Sequence, residues 1–354
     1  MHPDILESLF LTITGRKRVA NKISICHISL LMNGGEVDVS VPLVSVVLPT
    51  HNRPNHLSEA ISSVYGQSYP RIEIVVVDDC SNPPVNESLT HHSPKGFELK
   101  VVRHDSNLGA NAARCTGIEQ ARGSFIAFLD DDDRWLPGKI SKQVSVFEGR
   151  PEVVVVYTGQ QYRDTSNRVT GIRTPSTRGN ATVDILQGAS VGPFSTLMVR
   201  KKTIDAVGPP DVRFPSLQDK EWVIRLSQQG VIEPVTEPLV IRQEHHGGNI
   251  SDDFQRRRDV TYPLFLETYR PLARSHGSLV ERRFIANIAS SVAAAGVTTG
   301  NYKDASRFAL HALRQYPLSR DAFIYLLLSL GGKYTYKPAR AVKRLFHRIH
   351  NAAF

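Results

Sequence analysis

Four consecutive aspartates, Asp130 to Asp133, follow the apolar run FIAFL (125–129) and precede RWLP. Adjacent carboxylates repel, and burying them even partly is costly unless they are paired or bind a cation. A helix cap needs one acid, so four exceed that role. An oxygen-rich cluster suits a hard divalent cation, Mg2+ or Mn2+, which takes carboxylates, phosphate oxygens and water. A cation so held can bridge a diphosphate and neutralise charge on a departing phosphate. Asp78 and Asp79 end another apolar run, IEIVVV (72–77). Asp219 and Glu221 open the segment LQDKEWVIRLSQQG (217–230), where an acid can serve as a general base or simply favour a helix N-terminus by about 0.3–1 kcal/mol.

The elements that must position these acids alternate in type. VSVVL (44–48), ended by Pro49, reads as a buried strand, and PNHLSEAISSVYGQ after it as a helix with Leu57, Ile61 and Val64 on one face. IEIVVVDD (72–79), LKVVRH (99–104), SFIAFL (124–129) and EVVVVYTG (152–159) read as further strands. Between them ANAARCTGIEQA and LPGKISKQVSVFE read as helices, the second with Ile140, Val144 and Phe147 inward. STLMVRK (195–201) is a later strand, and 217–230 a helix with Trp222 and Leu226 in the core and Gly230 as its stop. Residues 160–193 are polar and read as irregular. Such alternation predicts a mainly parallel sheet covered on both faces, with ligands at the carboxyl ends of the strands. Asp78/Asp79, Asp130–Asp133 and the turn PTHNRP all lie at such ends. From about residue 255 the pattern is helical, and ANIASSVAAAGVTTGNYKDASRFALHALRQYP resembles one helix–turn–helix unit of the tetratricopeptide type.

The 354 residues carry a formal net charge of +9 and 41% hydrophobic residues, enough for a sizeable core. The positive balance suits nucleotides, phospholipid surfaces or nucleic acid. Zinc-finger spacing and RNP-type aromatic motifs are missing from the sequence, so nucleic acid is not the expected partner. Cys26, Cys80 and Cys115 form no CxxC pair, which points to a reducing cytoplasm rather than a disulfide framework. FIYLLLSL (323–330) and ISLLM (28–32) fall short of the roughly 20 apolar residues of a membrane span. The first residues lack a basic stretch before an apolar one, so no signal peptide is expected. Residues 1–41 are expected to be a disordered extension, or a mis-started one if translation begins at Met32. In the tail KYTYKPARAVKRLFHRIHN, Val342, Leu345, Phe346 and Ile349 share a helical stripe beside Arg340, Lys343, Arg344 and Arg348. The stripe reads as a basic amphipathic helix on an anionic membrane face or as a surface helix packed on its own domain.

Taken together, VSVVLPTHNRP (44–54), AISSVYGQSYPRIEIVVVDDCS (60–81), NLGANAARCTGI (107–118) and GSFIAFLDDDDRWLPGKI (123–140) resemble the nucleotide-binding half of a family 2 glycosyltransferase. VGPPDVRFPSLQDKEWVIRLSQQG (207–230) resembles that family's acceptor-side segment. The resemblance implies a GT-A type, Rossmann-like, mostly parallel α/β sheet over 42–250, followed by a helical C-terminal region over 251–354. It implies an inverting, metal-dependent enzyme using a nucleotide-diphospho-sugar donor, with UDP as the expected nucleotide. Pro49, His51, Asn52, Asp78 and Asp79 would hold the nucleoside, and Arg114 the base or phosphates. Asp130 and Asp132 match the DxD motif, with Asp132 as first choice for the metal and Asp131 and Asp133 leaving the register open. His246, in QEHHGGNIS, would be a further metal ligand or diphosphate contact. Asp219 matches the general base, and Glu221 is its rival. The acceptor would be a glycan or a lipid-linked molecule, reached in the cytoplasm or at the inner face of the membrane.

Two other activities remain to be weighed. A sugar-1-phosphate nucleotidyltransferase places a Gly-rich basic loop after its first strand, and PTHNRPNH contains no glycine. An inactive scaffold acting through its helical half would have no need of intact acids at both 130–133 and 219.

Overall fold

The structure is a computed structural model that describes residues 41–85, 94, 97–243 and 253–335. The Met32 start, His246 and the basic stripe 340–349 lie outside the described residues.

β1 (Val44–Thr50) and β2 (Ile72–Asp78) are buried at every position. Their near-continuous apolar composition is what a strand covered on both faces requires. β3 (Phe97–Arg103) and β4 (Phe125–Phe128) join them in parallel, in the order β3-β2-β1-β4. The sheet then continues as β8-β6-β9-β5, formed by Leu197–Arg200, Val153–Arg163, Val231–Gln243 and Asp133–Trp135, and β7 (Val169–Arg173) pairs with β6. β8 enters antiparallel to both β4 and β6, so this second half is mixed where uniform alternation predicts parallel strands.

Two further departures have physical causes. Residues 160–173, read as irregular, are the end of β6 and a β7 hairpin. Asp164 closes its turn by accepting from the backbone N–H groups of Ser166 and Arg168, at 2.9 and 3.0 Å. Polar residues on both faces hide that strand from a periodicity argument. β9 carries Pro234 and Pro238, which argue against a central strand. Its pairing with β6 absorbs them through register shifts at Thr158–Gln160.

Helices cover the sheet. α1 (Pro54–Tyr65), α2 (Ala110–Gln120) and α3 (Lys139–Phe147) follow β1, β3 and β5. α2 sits close to β1: a Cβ on Gly117 would lie 2.3 Å from Cγ1 of Val47. α4 (Thr182–Leu186) and α5 (Lys201–Val207) are short, and α6 (Gln218–Ser227) buries Trp222 completely. After a turn at Phe254–Arg256 and a π-helical stretch Arg257–Thr261 come α7 (Tyr262–Ser275), α8 (Ser278–Thr299), α9 (Tyr302–Gln315) and α10 (Arg320–Leu330). α8 and α9 are the expected helix–turn–helix, joined at Gly300 with φ of 83°. Phe265, Tyr269 and Phe284 share one apolar cluster with Phe128, Phe214 and Trp222, so α7 and α8 pack into the core that backs the acidic edge.

Candidate active site

Strand register brings the acids together. Thr50 pairs with Asp78 across β1–β2, and Phe128 with Val47 across β1–β4, so three carboxyl ends stop at one edge. The aspartate run turns there and re-enters the sheet as β5, where Asp133 pairs with Arg242 of β9.

Arginines provide much of the compensation for the four carboxylates. Arg114 Nη2 donates to Asp130 Oδ1 at 2.5 Å. Arg53 Nη1 donates to Asp131 Oδ1 at 3.1 Å and to Asp132 Oδ2 at 3.2 Å. Arg242 Nε lies 3.3 Å from Asp133 Oδ1. Burial pushes the Asp133 carboxyl up to about 7; Arg242 opposes the shift, and the charges of Asp130 and Asp132 add to it. Burial also raises Asp131, which Thr50 Oγ1 and Arg53 hold from two sides.

Three of the four acids remain convergent. One oxygen each from Asp130, Asp132 and Asp133 lies within 4.8 Å of the others. Asp133 Oδ2 is buried without a hydrogen-bond partner. A carboxylate donor set with an unmet oxygen fits a hard divalent cation such as Mg2+ or Mn2+. Asp131 stands outside that set, its oxygens already given to Thr50 and Arg53.

Arg114 is the most constrained cation here. It is buried, its guanidinium lies 4.0 Å from the ring centroid of Phe194, and Nη1 also reaches Asn111 and Gln218, each at 3.3 Å. It thereby ties α2 and the acidic edge to the first turn of α6. Asp219 follows Gln218 in that turn. Burial raises the Asp219 carboxyl, while the N–H of Lys220 and the charges of Arg114 and Arg242 lower it. Glu221 points elsewhere: it accepts from Arg225 at 2.6 and 3.1 Å and from the Tyr269 hydroxyl at 2.7 Å, and it is 1% exposed. Its carboxylate joins α6 to α7, away from the aspartates.

The paired acids of β2 hold loops. Asp78 accepts from the N–H groups of Ser81 and Val85 and from Arg103. Burial would raise its pKa, yet the Ser81, Val85 and Arg103 hydrogen bonds outweigh that and hold it below the ordinary value. Asp79 accepts from the N–H groups of Leu108 and Gly109 at 2.8 and 2.7 Å, with His104 Nδ1 at 2.8 Å. His51 Nδ1 donates to the Asp79 carbonyl at 2.7 Å. Asn52, at φ of 56°, receives the Asn82 N–H on its side-chain oxygen, and its own N–H donates to Ser81 Oγ. Pro49 lies within β1 beside Val77. The turns after β1, β2 and β3 are thus fastened into one rim beside the aspartates.

Arg53 and Arg242 escape a reading by residue type. Arg53 does have a signal, since it stands inside PTHNRP. Arg242 has none, because its role depends on β9, whose prolines disguise the strand.

Residues 45–208 match the family described as Glycosyl transferase family 2. Over 29% of this chain and 40% of its own length, UDP-Glc:alpha-D-GlcNAc-diphosphoundecaprenol beta-1,3-glucosyltransferase WfgD of Escherichia coli is 36% identical. The chain spans from 21% to 72% of the length of curated relatives that it matches. S. aureus TarS 1–349 in complex with UDP-GlcNAc superposes with a TM-score of 0.55 and 18% identity, over 82% of this chain and 91% of that one. The mannosyltransferase PcManGT from Pyrobaculum calidifontis, in complex with GDP-Man and Mn2+, gives 0.52 and 18%, over 90% of this chain and 92% of that one. These likenesses bear out the expected GT-A type fold. Over residues 45–208, from β1 to the end of α5, the chain is thus similar to glycosyl transferase family 2, and its named relatives include glycosyltransferases.

Proposed function

We propose that the chain transfers a sugar from a nucleotide-diphospho-sugar, with UDP as the nucleotide, to a hydroxyl of a lipid-linked or polysaccharide acceptor, with inversion at the anomeric carbon. One observation carries the reading: Asp130, Asp132 and Asp133 converge within 4.8 Å, and Arg114 links this group to the helix turn that holds Asp219. The UDP-Glc in the name of WfgD and the UDP-GlcNAc in complex with TarS support the nucleotide, and the diphosphoundecaprenol in the name of WfgD supports a lipid-linked acceptor.

Each residue has a task in this reading. Asp130, Asp132 and Asp133 hold Mg2+ or Mn2+, a choice that the Mn2+ bound by PcManGT supports. Such an ion, when bound, would supply positive charge that offsets the charge of a diphosphate leaving group. Arg53 and Arg114 place guanidinium groups where phosphates would approach the acids. His51, Asn52, Asp78 and Asp79 shape the nucleoside rim. Asp219 accepts the proton of the acceptor hydroxyl as its oxygen attacks the anomeric carbon. The bond from that carbon to the diphosphate oxygen breaks, and UDP leaves with the electron pair. A single base without a carboxylate nucleophile gives one displacement and hence inversion. In this reading the enzyme works in the cytoplasm or at the inner face of the membrane.

The test is UDP release from a panel of UDP-sugars with a lipid-linked acceptor and Mn2+. Release that depends on metal and is lost in Asp132→Ala supports the reading. Failure to bind any nucleotide in calorimetry with Mn2+ would leave the scaffold alternative in its place.

A further inference from the structure

α10 leaves a row of large apolar side chains in solvent. Its buried residues are Ala322 and Ser329, both small. Tyr325, Leu326 and Leu328 are half-buried, but four large apolar residues are exposed: Phe323 54%, Ile324 47%, Leu327 52% and Leu330 72%. Positions 323, 327 and 330 follow the i, i+4, i+7 spacing of a single helical face. Leu318 before the helix and Tyr334 after it extend the apolar surface, at 77% and 78% exposure. Scattered surface leucines are normal, but a contiguous apolar stripe marks a binding surface.

The charge of the surrounding chain selects the partner. From Leu318 to the end, seven Lys and Arg residues stand against one acid, Asp321. An apolar stripe beside a strongly cationic segment complements an anionic bilayer, which offers hydrocarbon and negative headgroups together. A second copy of this chain would meet the stripe with more positive charge. With 11 residues, α10 is roughly 16 Å long at 1.5 Å per residue, far short of a bilayer core of about 30 Å. No helix among the described residues is long and apolar enough to cross a membrane. The geometry therefore calls for a helix lying in the interface plane.

We infer that α10 is an interfacial anchor whose Phe323, Ile324, Leu327 and Leu330 enter an anionic phospholipid leaflet. The anchor would keep the enzyme at the surface where a lipid-linked acceptor resides, yet it stands without the transfer chemistry, because it rests on exposure and charge alone.

Co-sedimentation of the full chain with vesicles tests it, using phosphatidylcholine alone and phosphatidylcholine mixed with phosphatidylglycerol. The wild type pellets with the mixed vesicles, and Phe323→Ser/Leu327→Ser lowers its partition coefficient by about tenfold or more, as expected from losing two buried apolar side chains. Leu330→Ser, at the most exposed of the four apolar positions, lowers it in the same direction. Because these positions face outward, the thermal midpoint and UDP binding stay at wild-type values. Intact UDP binding also separates failure of the anchor from failure of the transfer reading. Three results overturn the anchor: equal pelleting of variants and wild type, no pelleting of wild type with anionic vesicles, or a solution dimer that the double substitution splits while vesicle binding is absent.

Discussion

Arg242 on β9 reaches Asp133 on β5 across an antiparallel pair, with Nε 3.3 Å from Oδ1. The fourth aspartate of the run is thereby built into the sheet, while its second oxygen stays buried and unmet. A run of acids that looks alike in sequence is divided by its neighbours. Asp131 serves Thr50 and Arg53, and Asp130, Asp132 and Asp133 form the convergent group.

Asp132→Asn should separate metal binding from folding. Asp132 is partly exposed, with side-chain accessibility of 23%, so the fold survives the change. Loss of an outer-shell partner costs a metal site about 10–100-fold in affinity, and loss of a direct ligand should cost at least the upper end of that range. Mn2+ titration followed by calorimetry in the presence of UDP checks it.

Asp219→Asn and Glu221→Gln should fail in different ways. The first keeps nucleotide affinity and loses about 10²–10⁴-fold in turnover, the usual share of a general base. The second weakens the Arg225 and Tyr269 bonds that join α6 to α7, and lowers stability by about 1.5–3 kcal/mol. Steady-state kinetics beside thermal unfolding distinguish them. Equal losses of turnover without destabilisation would return Glu221 to the catalytic role.

The raised pKa of the buried Asp219 carboxyl also has a signed consequence. The base works only when deprotonated, so kcat/KM should fall as pH drops through a value above the ordinary aspartate range near 3.9. A carboxyl whose pKa is raised by folding destabilises the fold once it ionises. That cost is absent below the ordinary aspartate value and complete above the raised one. Asp219→Asn removes the cost, so at neutral pH the variant should be inactive and at least as stable as wild type. Chemical denaturation at two pH values reads this directly.

Gly117→Ala tests the seating of the helix that carries Arg114. The new Cβ would meet Val47 Cγ1 at 2.3 Å, and overpacking of this kind costs about 1–3 kcal/mol. Combining it with Val47→Ala should cost less than the sum of the two single changes, which a double-mutant cycle measures.

Much of this site is legible in the sequence because its signals are local. Apolar runs that stop at Asp78 and Asp130 reveal strand ends, and strand ends of an α/β sheet are where ligands bind. Asp219 is singled out only by the resemblance of 207–230 to a family segment, since an acid opening a helix is otherwise an ordinary N-terminal charge. What sequence could not supply is partnership across long separations. Arg114 to Phe194, Asp133 to Arg242 and Glu221 to Tyr269 each depend on packing between distant elements. The mixed half of the sheet was hidden for a similar reason, since the direction of β8 is set by its neighbours and not by its own residues.

The most direct test is diffraction from crystals grown with UDP and Mn2+, recorded where manganese scatters anomalously. The account predicts one strong anomalous peak in direct contact with Asp132 and the diphosphate, with Asp131 still turned to Thr50. UDP bound at this edge with no anomalous peak beside Asp132 would contradict it.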